Sequence, residues 1–349
     1  MTELPIHGGP DGQGVPLHDF STNSNACGPC PHTLAALRSC DASRYPDPTY
    51  SDLKLQLATF HGVQSDRIVL AGSGSEFIFR ITAWVAQQGG TTVRVPLHAY
   101  GDYAQAARAW GLSVTTTGDA ALQWHADPSS PLGQSVMVDG ESSRSRAHTR
   151  VLDCAYEPLR LSGASNWTGA QRDALWQLYT PNKALGLTGV RAAYAVAPLG
   201  SAQAVAELQS LCASWPVGAH GVALLQSWVQ PAVQAWLADS RYYLRALKRS
   251  QIEMLEAMGW QCQPSETNFF CVQLPGVLDA EALGGMLVQL RSSHGIKLRD
   301  ADSFGLPGWV RVSVQALASQ DALRAGLLAH RLHPDHLHPS QPLETVHVS

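Results

Sequence analysis

The stretch TPNKALGLTGVR, residues 180–191, holds one of the four lysines in a chain of 349 residues. Lys54 and Lys248 fall on helical patterns, where long cationic side chains are expected in solvent, and Lys297 sits in the strand GIKLRD. Lys183 differs: it lies in a loop after an apolar strand, with Arg191 eight residues on. Thirty residues before it, Asp153 closes another apolar strand, VLD. Further upstream, IVLAGSGSE (68–76) reads as a short buried strand, a glycine turn and a helix opening near Gly74.

These are the parts needed to hold pyridoxal 5′-phosphate (PLP). The Lys183 amine would form a Schiff base with the cofactor's aldehyde. The Asp153 carboxylate would keep the pyridine nitrogen protonated, so that the ring draws electrons from a substrate's α-carbon. Free amides at a helix N-terminus bind phosphate, and Gly74, Ser75 and Glu76 stand at one. Arg191 and the Thr180 hydroxyl would complete the phosphate cup. Taken singly, each piece has a plainer reading: a solvated loop lysine, a structural strand-end acid, a turn common to any α/β protein. Their joint order and spacing favour the cofactor.

Outward from this stretch, short apolar strands alternate with helices, which gives an α/β class with a mainly parallel sheet. Helical patterns run over PHTLAALRSC (31–40), with Pro31 in its tolerated first turn, and from Ser51 to a stop at Gly62. Another runs from the glycine turn to about Gln88, and YAQAARAWG (103–111) is a fourth. From Ser240, SRYYLRALKRSQIEMLEAMG is a long amphipathic helix. It opens a separate α+β lobe with strands in CQPSETNFFCVQL and WVRVSVQ. The expected organisation is an arm with part of the small domain over 1–44, a large cofactor-binding domain over 45–239, a small domain over 240–331 and a mobile tail over 332–349. For the tail's His333, His336 and His338, solvation is favoured over a metal site.

Composition bounds the function. The chain is 45% hydrophobic and 15% charged, as in soluble globular proteins. A net charge of −4 provides no footprint for nucleic acid or an anionic membrane. No apolar run reaches membrane-span length, and MTELPIHGG lacks a basic-then-apolar leader, so a cytoplasmic protein is expected. Seven irregularly spaced cysteines do not read as a disulfide framework. Cys27-Gly28-Pro29-Cys30 spells a thioredoxin redox site, and with His32 the makings of a zinc site. A thioredoxin motif needs its own sheet, however, and this segment offers one short strand, LHDFS (17–21).

The same residues carry a resemblance. The chain from about 6 to 330 resembles the fold-type I PLP enzymes of the aspartate aminotransferase superfamily. The nearest branch looks like the histidinol-phosphate aminotransferases and threonine-phosphate decarboxylases. HGG (7–9) and DFSTNSNACGP (19–29) resemble the decarboxylase branch's arm, which implies substrate binding by Asn23 and makes Gly28-Pro29 the family's turn. RYPDPTY (44–50) is similar to the segment whose tyrosine, here Tyr45, reaches the neighbouring subunit's cofactor phosphate; this implies a homodimer with shared active sites. LAGSGSE matches the phosphate turn. PLH (96–98) resembles Pro-x-aromatic, which offers His98 as the ring stacked on the pyridine, with Tyr100 or Tyr103 as alternatives. VLDCAY implies Asp153 at the ring nitrogen and Tyr156 at the 3-hydroxyl. TPNKALGLTGVR resembles the lysine motif, and KLRD and WVRVSV imply that Arg299 and Arg311 hold the substrate's anions.

There are departures. The segment 111–153 is shorter than in the family, by a helix or a strand and helix. The family's loop with a cofactor-binding asparagine is reduced to DPSSPLG (127–133), which puts Ser130 in that place. Cys154 replaces a glutamate, and Asn182 a serine. The expected function is a PLP-dependent aminotransferase acting on an amino acid or amino acid phosphate. A decarboxylase of amino acid phosphates is the second reading, and a binding protein that has lost catalysis is a third, of another class.

Overall fold

A computed structural model describes residues 8–136, 149–273 and 280–331. The tail 332–349, which carries His333, His336 and His338, lies outside the described residues.

Seven strands form the central sheet, in the order Ile68–Ala71, Ala193–Val196, Trp176–Tyr179, Thr149–Asp153, Leu122–Ala126, Thr92–Arg94 and Ser113–Thr115. Ala193–Val196 runs antiparallel to both its neighbours, and every other pairing is parallel. Ile68–Ala71, Leu122–Ala126, Trp176–Tyr179 and Ala193–Val196 are buried at every residue. That is why IVLA and AYAV read as continuous apolar runs, since a sheet covered on both faces has no wet side to alternate toward; LQWHA and WQLY carry the buried polar residues Gln123, His125 and Gln177. The chain is thus α/β with a mainly parallel sheet, helices on both faces and a smaller α+β lobe. Open sheets of this kind bind ligands at the carboxyl ends of their strands. Asp153 ends one such strand, Thr180 follows another, and the glycine turn follows Ile68–Ala71.

The smaller sheet is antiparallel throughout, in the order Arg299–Asp300, Trp309–Ser313, Phe269–Gln273, Gln261–Cys262. Its register sets Arg299 directly opposite Arg311. Against it packs the long helix Pro231–Ala257, which begins well before Ser240. Val233 and Leu237 extend the buried stripe that continues through Ser240 and Leu244, and Pro231 fits the first turn without losing a bond. Lys248 lies on this buried stripe, against the expectation that it is solvated.

The arm joins the two sheets. His18–Asp19 pairs in parallel with Ile296–Lys297, and the chain then crosses onto the Lys183 loop. The Asn25 amide donates to the Lys183 carbonyl (3.0 Å), Asn25 Nδ2 to that of Ala184 (2.9 Å), and the Cys30 amide to that of Leu185 (2.8 Å). Gly28 and Gly186 meet backbone to backbone: a Cβ on Gly28 would come within 2.8 Å of Gly186 Cα. Gly186 has φ +67°, a conformation that costs glycine little. The CGPC motif therefore packs through its glycine, and its two thiols are free.

Candidate active site

Between the carboxyl ends of the central strands, the arm and the smaller sheet lies a cavity of about 1020 Å³. Lys183, Asp153, Tyr156, Thr180, Arg191, Gly74, Ser75, Ser130, Asn23, Arg299 and Arg311 all line it. Residues spread over nearly three hundred positions are thus brought to one wall-to-wall site.

Asp153 sits at its base with part of its surface open to the cavity. Burial pushes its carboxyl above the usual range; the Tyr103 hydroxyl, the Ala155 amide and Lys183 pull it back. Tyr103 donates to Asp153 Oδ2 at 2.6 Å and stacks flat on Trp124, with ring centroids 4.3 Å apart. Burial, then the neighbouring carboxylate, push the Tyr103 hydroxyl far above its ordinary pKa, so it stays a donor. A carboxylate so enclosed is suited to a cationic N–H partner.

The helix Gly74–Gln87 opens toward the cavity. Ser73 caps it by accepting the Glu76 amide at 3.0 Å, and the Phe77 amide donates to the Ser73 carbonyl. The amides of Gly74 and Ser75 have no intrahelical acceptor by position. A Cβ on Gly74 would meet Thr180 Cγ2 at 2.8 Å, so only glycine leaves this cradle open. Glu76 is not in the lining. Its carboxylate accepts the Gly72 amide at 3.1 Å and pairs with Arg80 at 3.0 Å, which braces the turn from behind.

Tyr156 packs edge-on against Phe269 and accepts a hydrogen bond from Asn23 Nδ2 at 3.2 Å. Lys183 Nζ lies 5.5 Å from the Tyr156 ring centroid. Across the cavity, Arg311 Nη2 donates to the Ser21 carbonyl (2.9 Å) and Arg299 Nη2 to Ser303 Oγ (2.7 Å). Both guanidiniums lie over the Phe304 ring. Burial, and then Arg311 beside it, lower the Arg299 pKa to about 10; burial lowers that of Arg311 too. Two cations held this close, in an enclosed site, call for anionic ligands.

Besides Glu76, two predicted residues fall elsewhere. His98 is not in the lining: its Nδ1 lies 2.8 Å from the Phe304 carbonyl oxygen. Tyr100, one of the two alternatives, lines the cavity with its hydroxyl 3.3 Å from Ser75 Oγ. The loop after Pro96 is longer than Pro-x-aromatic requires, and the helix opening at Gly101 turns Tyr100 inward. Tyr45 stands on the surface, 78% exposed, stacked on Trp215. Sequence reasoning missed Tyr103 as the partner of Asp153. The signal was its place on the buried face of Gly101–Ala109, in register with Ala106 and Ala107.

The sequence model of aminotransferase class I and II matches residues 144–328. Histidinol-phosphate aminotransferase 1 of Thiobacillus denitrificans is 30% identical, over 87% of this chain and 82% of its own. The chain belongs to the aminotransferase class I and II family. In fold it is similar to histidinol-phosphate aminotransferase from Sinorhizobium meliloti in complex with pyridoxal-5′-phosphate. That match has a TM-score of 0.74 at 23% identity, covering 88% of this chain and 90% of that one. It is also similar to L-threonine-O-3-phosphate decarboxylase from Porphyromonas gingivalis, with a TM-score of 0.70 at 21% identity, covering 89% and 98%. The protein is a PLP-dependent aminotransferase.

The residues of this aminotransferase fit that cofactor. The Thr180 hydroxyl and Asn23 Oδ1, both buried in the cavity wall, lack a hydrogen-bond partner among the described residues, as does Arg311 Nε. Buried polar atoms left open are costly unless a ligand completes them. No helix among the described residues is long and apolar enough to cross a membrane.

Proposed function

We propose that this aminotransferase acts on an amino acid phosphate or a similar amine with a second anionic group. The observation that carries this reading is the pairing of Arg299 with Arg311 on facing strands, both in the cavity that holds Lys183. PLP, when bound, supplies an aldehyde that condenses with amines and a ring that draws electrons from the neighbouring carbon. Asp153 holds the proton on the ring nitrogen. Tyr156 and Ser130 hold the 3-hydroxyl, and Tyr100 takes the stacking place offered to His98. The Gly74 and Ser75 amides, the Ser75 and Thr180 hydroxyls and Arg191 bind the phosphate. Asn23 positions Tyr156 and borders the substrate. Arg311 would orient a carboxylate or phosphate of the substrate, and Lys183 Nζ, in the same cavity, would be the base that takes and returns the substrate's Cα proton.

We carry the organisation into an arm (1–44), a large domain (45–239) and a small domain (240–331) as part of this reading. So too are a cytoplasmic location and a homodimer in which Tyr45 reaches the partner's phosphate. The exposed Tyr45–Trp215 stack supports the last, and a monomer in light scattering would remove it.

The test is the absorption spectrum of the protein loaded with PLP. A visible band that Lys183→Ala abolishes is expected. Amino acid phosphates should bleach it lastingly, with a keto product and no carbon dioxide. A band that recovers as carbon dioxide appears would instead make the enzyme a decarboxylase of the same substrate class. No band at any PLP concentration would leave only a binding protein.

A further inference from the structure

Lys248 is 9% exposed in the middle of a 27-residue helix, where ordinary lysines reach water. Its Nζ donates to the carbonyls of Ser265 (2.6 Å) and Thr267 (2.8 Å). Burial draws its pKa down to about 8, with Glu266 opposing, so an ammonium persists there at neutral pH. A charge kept at that cost needs compensation, and the two carbonyls provide it.

The turn so held, 265–268, touches two walls of the active site. On one side the Glu266 amide donates to the Gly133 carbonyl (2.6 Å), and Gln134 Nε2 to that of Pro264 (2.9 Å). Glu266 also accepts from Ser135 Oγ (2.6 Å) and pairs with Arg160, which itself pairs with the buried Asp127 (3.0 Å). This bundle fixes the loop that carries Ser130. Gly133, at φ +70°, lies so close that a Cβ there would sit 2.5 Å from Thr267 Oγ1. On the other side Asn268 Nδ2 donates to the Ser24 carbonyl (3.0 Å), next to Asn23, whose own amide meets Tyr156. Lys248 itself does not line the cavity.

We propose that Lys248 is a positioning residue, which clamps the 265–268 turn so that the Ser130 loop and the Asn23–Tyr156 pair are held in register on one side of the site. The inference rests on the proposed roles of Tyr156 and Ser130 at the cofactor's 3-hydroxyl. Loosening the clamp releases both walls together and leaves Asp153, Lys183 and the phosphate cup in place, because these are carried by the central sheet.

The experiment compares wild type, Lys248→Met and Lys248→Arg, each loaded with PLP. Hydrogen exchange in Lys248→Met should rise at least about tenfold in both 129–135 and 22–27, while 68–78 and 149–153 stay unchanged. The pH midpoint of the visible band should move up by about 0.5 unit or more, since groups that hold an oxyanion have been released. Lys248→Arg, whose fork also spans two carbonyls, should restore both readings at least in part. Exchange rising in neither segment or in one alone, or an unchanged midpoint, would overturn the proposal. If Lys248→Met does not fold, Asn268→Ala and Gln134→Ala release one wall each. The proposal then falls if neither shifts the midpoint. A wild type with no visible band would instead defeat the cofactor reading, which separates the two failures.

Discussion

In the proposed cofactor site, one contact, from Tyr103, governs the ionisation of Asp153. The carboxyl is pushed up by burial and pulled down first by the Tyr103 hydroxyl. Removing that hydroxyl with Tyr103→Phe leaves only the Ala155 amide and Lys183 to oppose desolvation, so the carboxyl titrates at higher pH. Only the ionised carboxylate pairs with a ring N–H⁺, so PLP affinity is present above that pKa and lost as pH falls through it. Tyr103→Phe should therefore move the acid limb of PLP binding to higher pH. A lost hydrogen bond to a charged group, about 1.5–3 kcal/mol, would weaken binding roughly 10- to 100-fold on that limb. Fluorescence titration of PLP across pH checks this, and an unmoved limb would show that Tyr103 only packs. Gly74 keeps the proposed phosphate cradle open. Gly74→Ala forces a methyl to within 2.8 Å of Thr180 Cγ2, so PLP affinity should fall by about tenfold while the melting temperature stays close to wild type.

Between elements, the decisive contact is the crossing of the arm over the Lys183 loop. Gly186→Ala would place a Cβ 2.7 Å from Gly28 Cα in a left-handed conformation. Strain of this kind costs about 1–3 kcal/mol, and here it also lifts the arm. Thermal melting should show the loss, and proteolysis should open the arm near residues 20–30. How much of this was legible in the sequence depends on what each element does. Lys183, Asp153 and the glycine turn were readable because strand ends and glycines are punctuated, and chemistry gathers at punctuation. The helix Ser51–His61 began and stopped where its pattern said, with Gly62 left-handed at the cap. The start at Pro231 was missed because the pattern through Val233 and Leu237 was read only from Ser240 on. His98 was put ahead of its alternative Tyr100 as a cavity residue because a loop has no period to fix which side chain turns inward. Lys248 read as solvated because helical spacing identifies a face but not the carbonyls waiting opposite it.

Across the whole molecule, the proposed substrate bridges parts that are far apart in sequence. Lys183 lies in the loop after a strand of the central sheet, Arg299 and Arg311 in the smaller sheet, and Ser21 and Asn23 in the arm that joins them. Arg311 Nη2 donates to the Ser21 carbonyl, its Nε has no partner among the described residues, and burial disfavours its charge. A ligand with two anionic groups should therefore stabilise the joined assembly rather than one lobe. At a hundredfold excess over Kd, binding to the native state alone adds about 2.7 kcal/mol, which raises the melting temperature by a few degrees. An amino acid phosphate should give this shift in the PLP-loaded protein, and the matching amine without its phosphate should give much less. Arg311→Ala should abolish the shift and raise KM about 10- to 100-fold, through the loss of charge-assisted hydrogen bonds, while leaving PLP affinity nearly unchanged. If the phosphate-free amine protects as well as the phosphate does, the two arginines do not select a second anion and the substrate is not an amino acid phosphate.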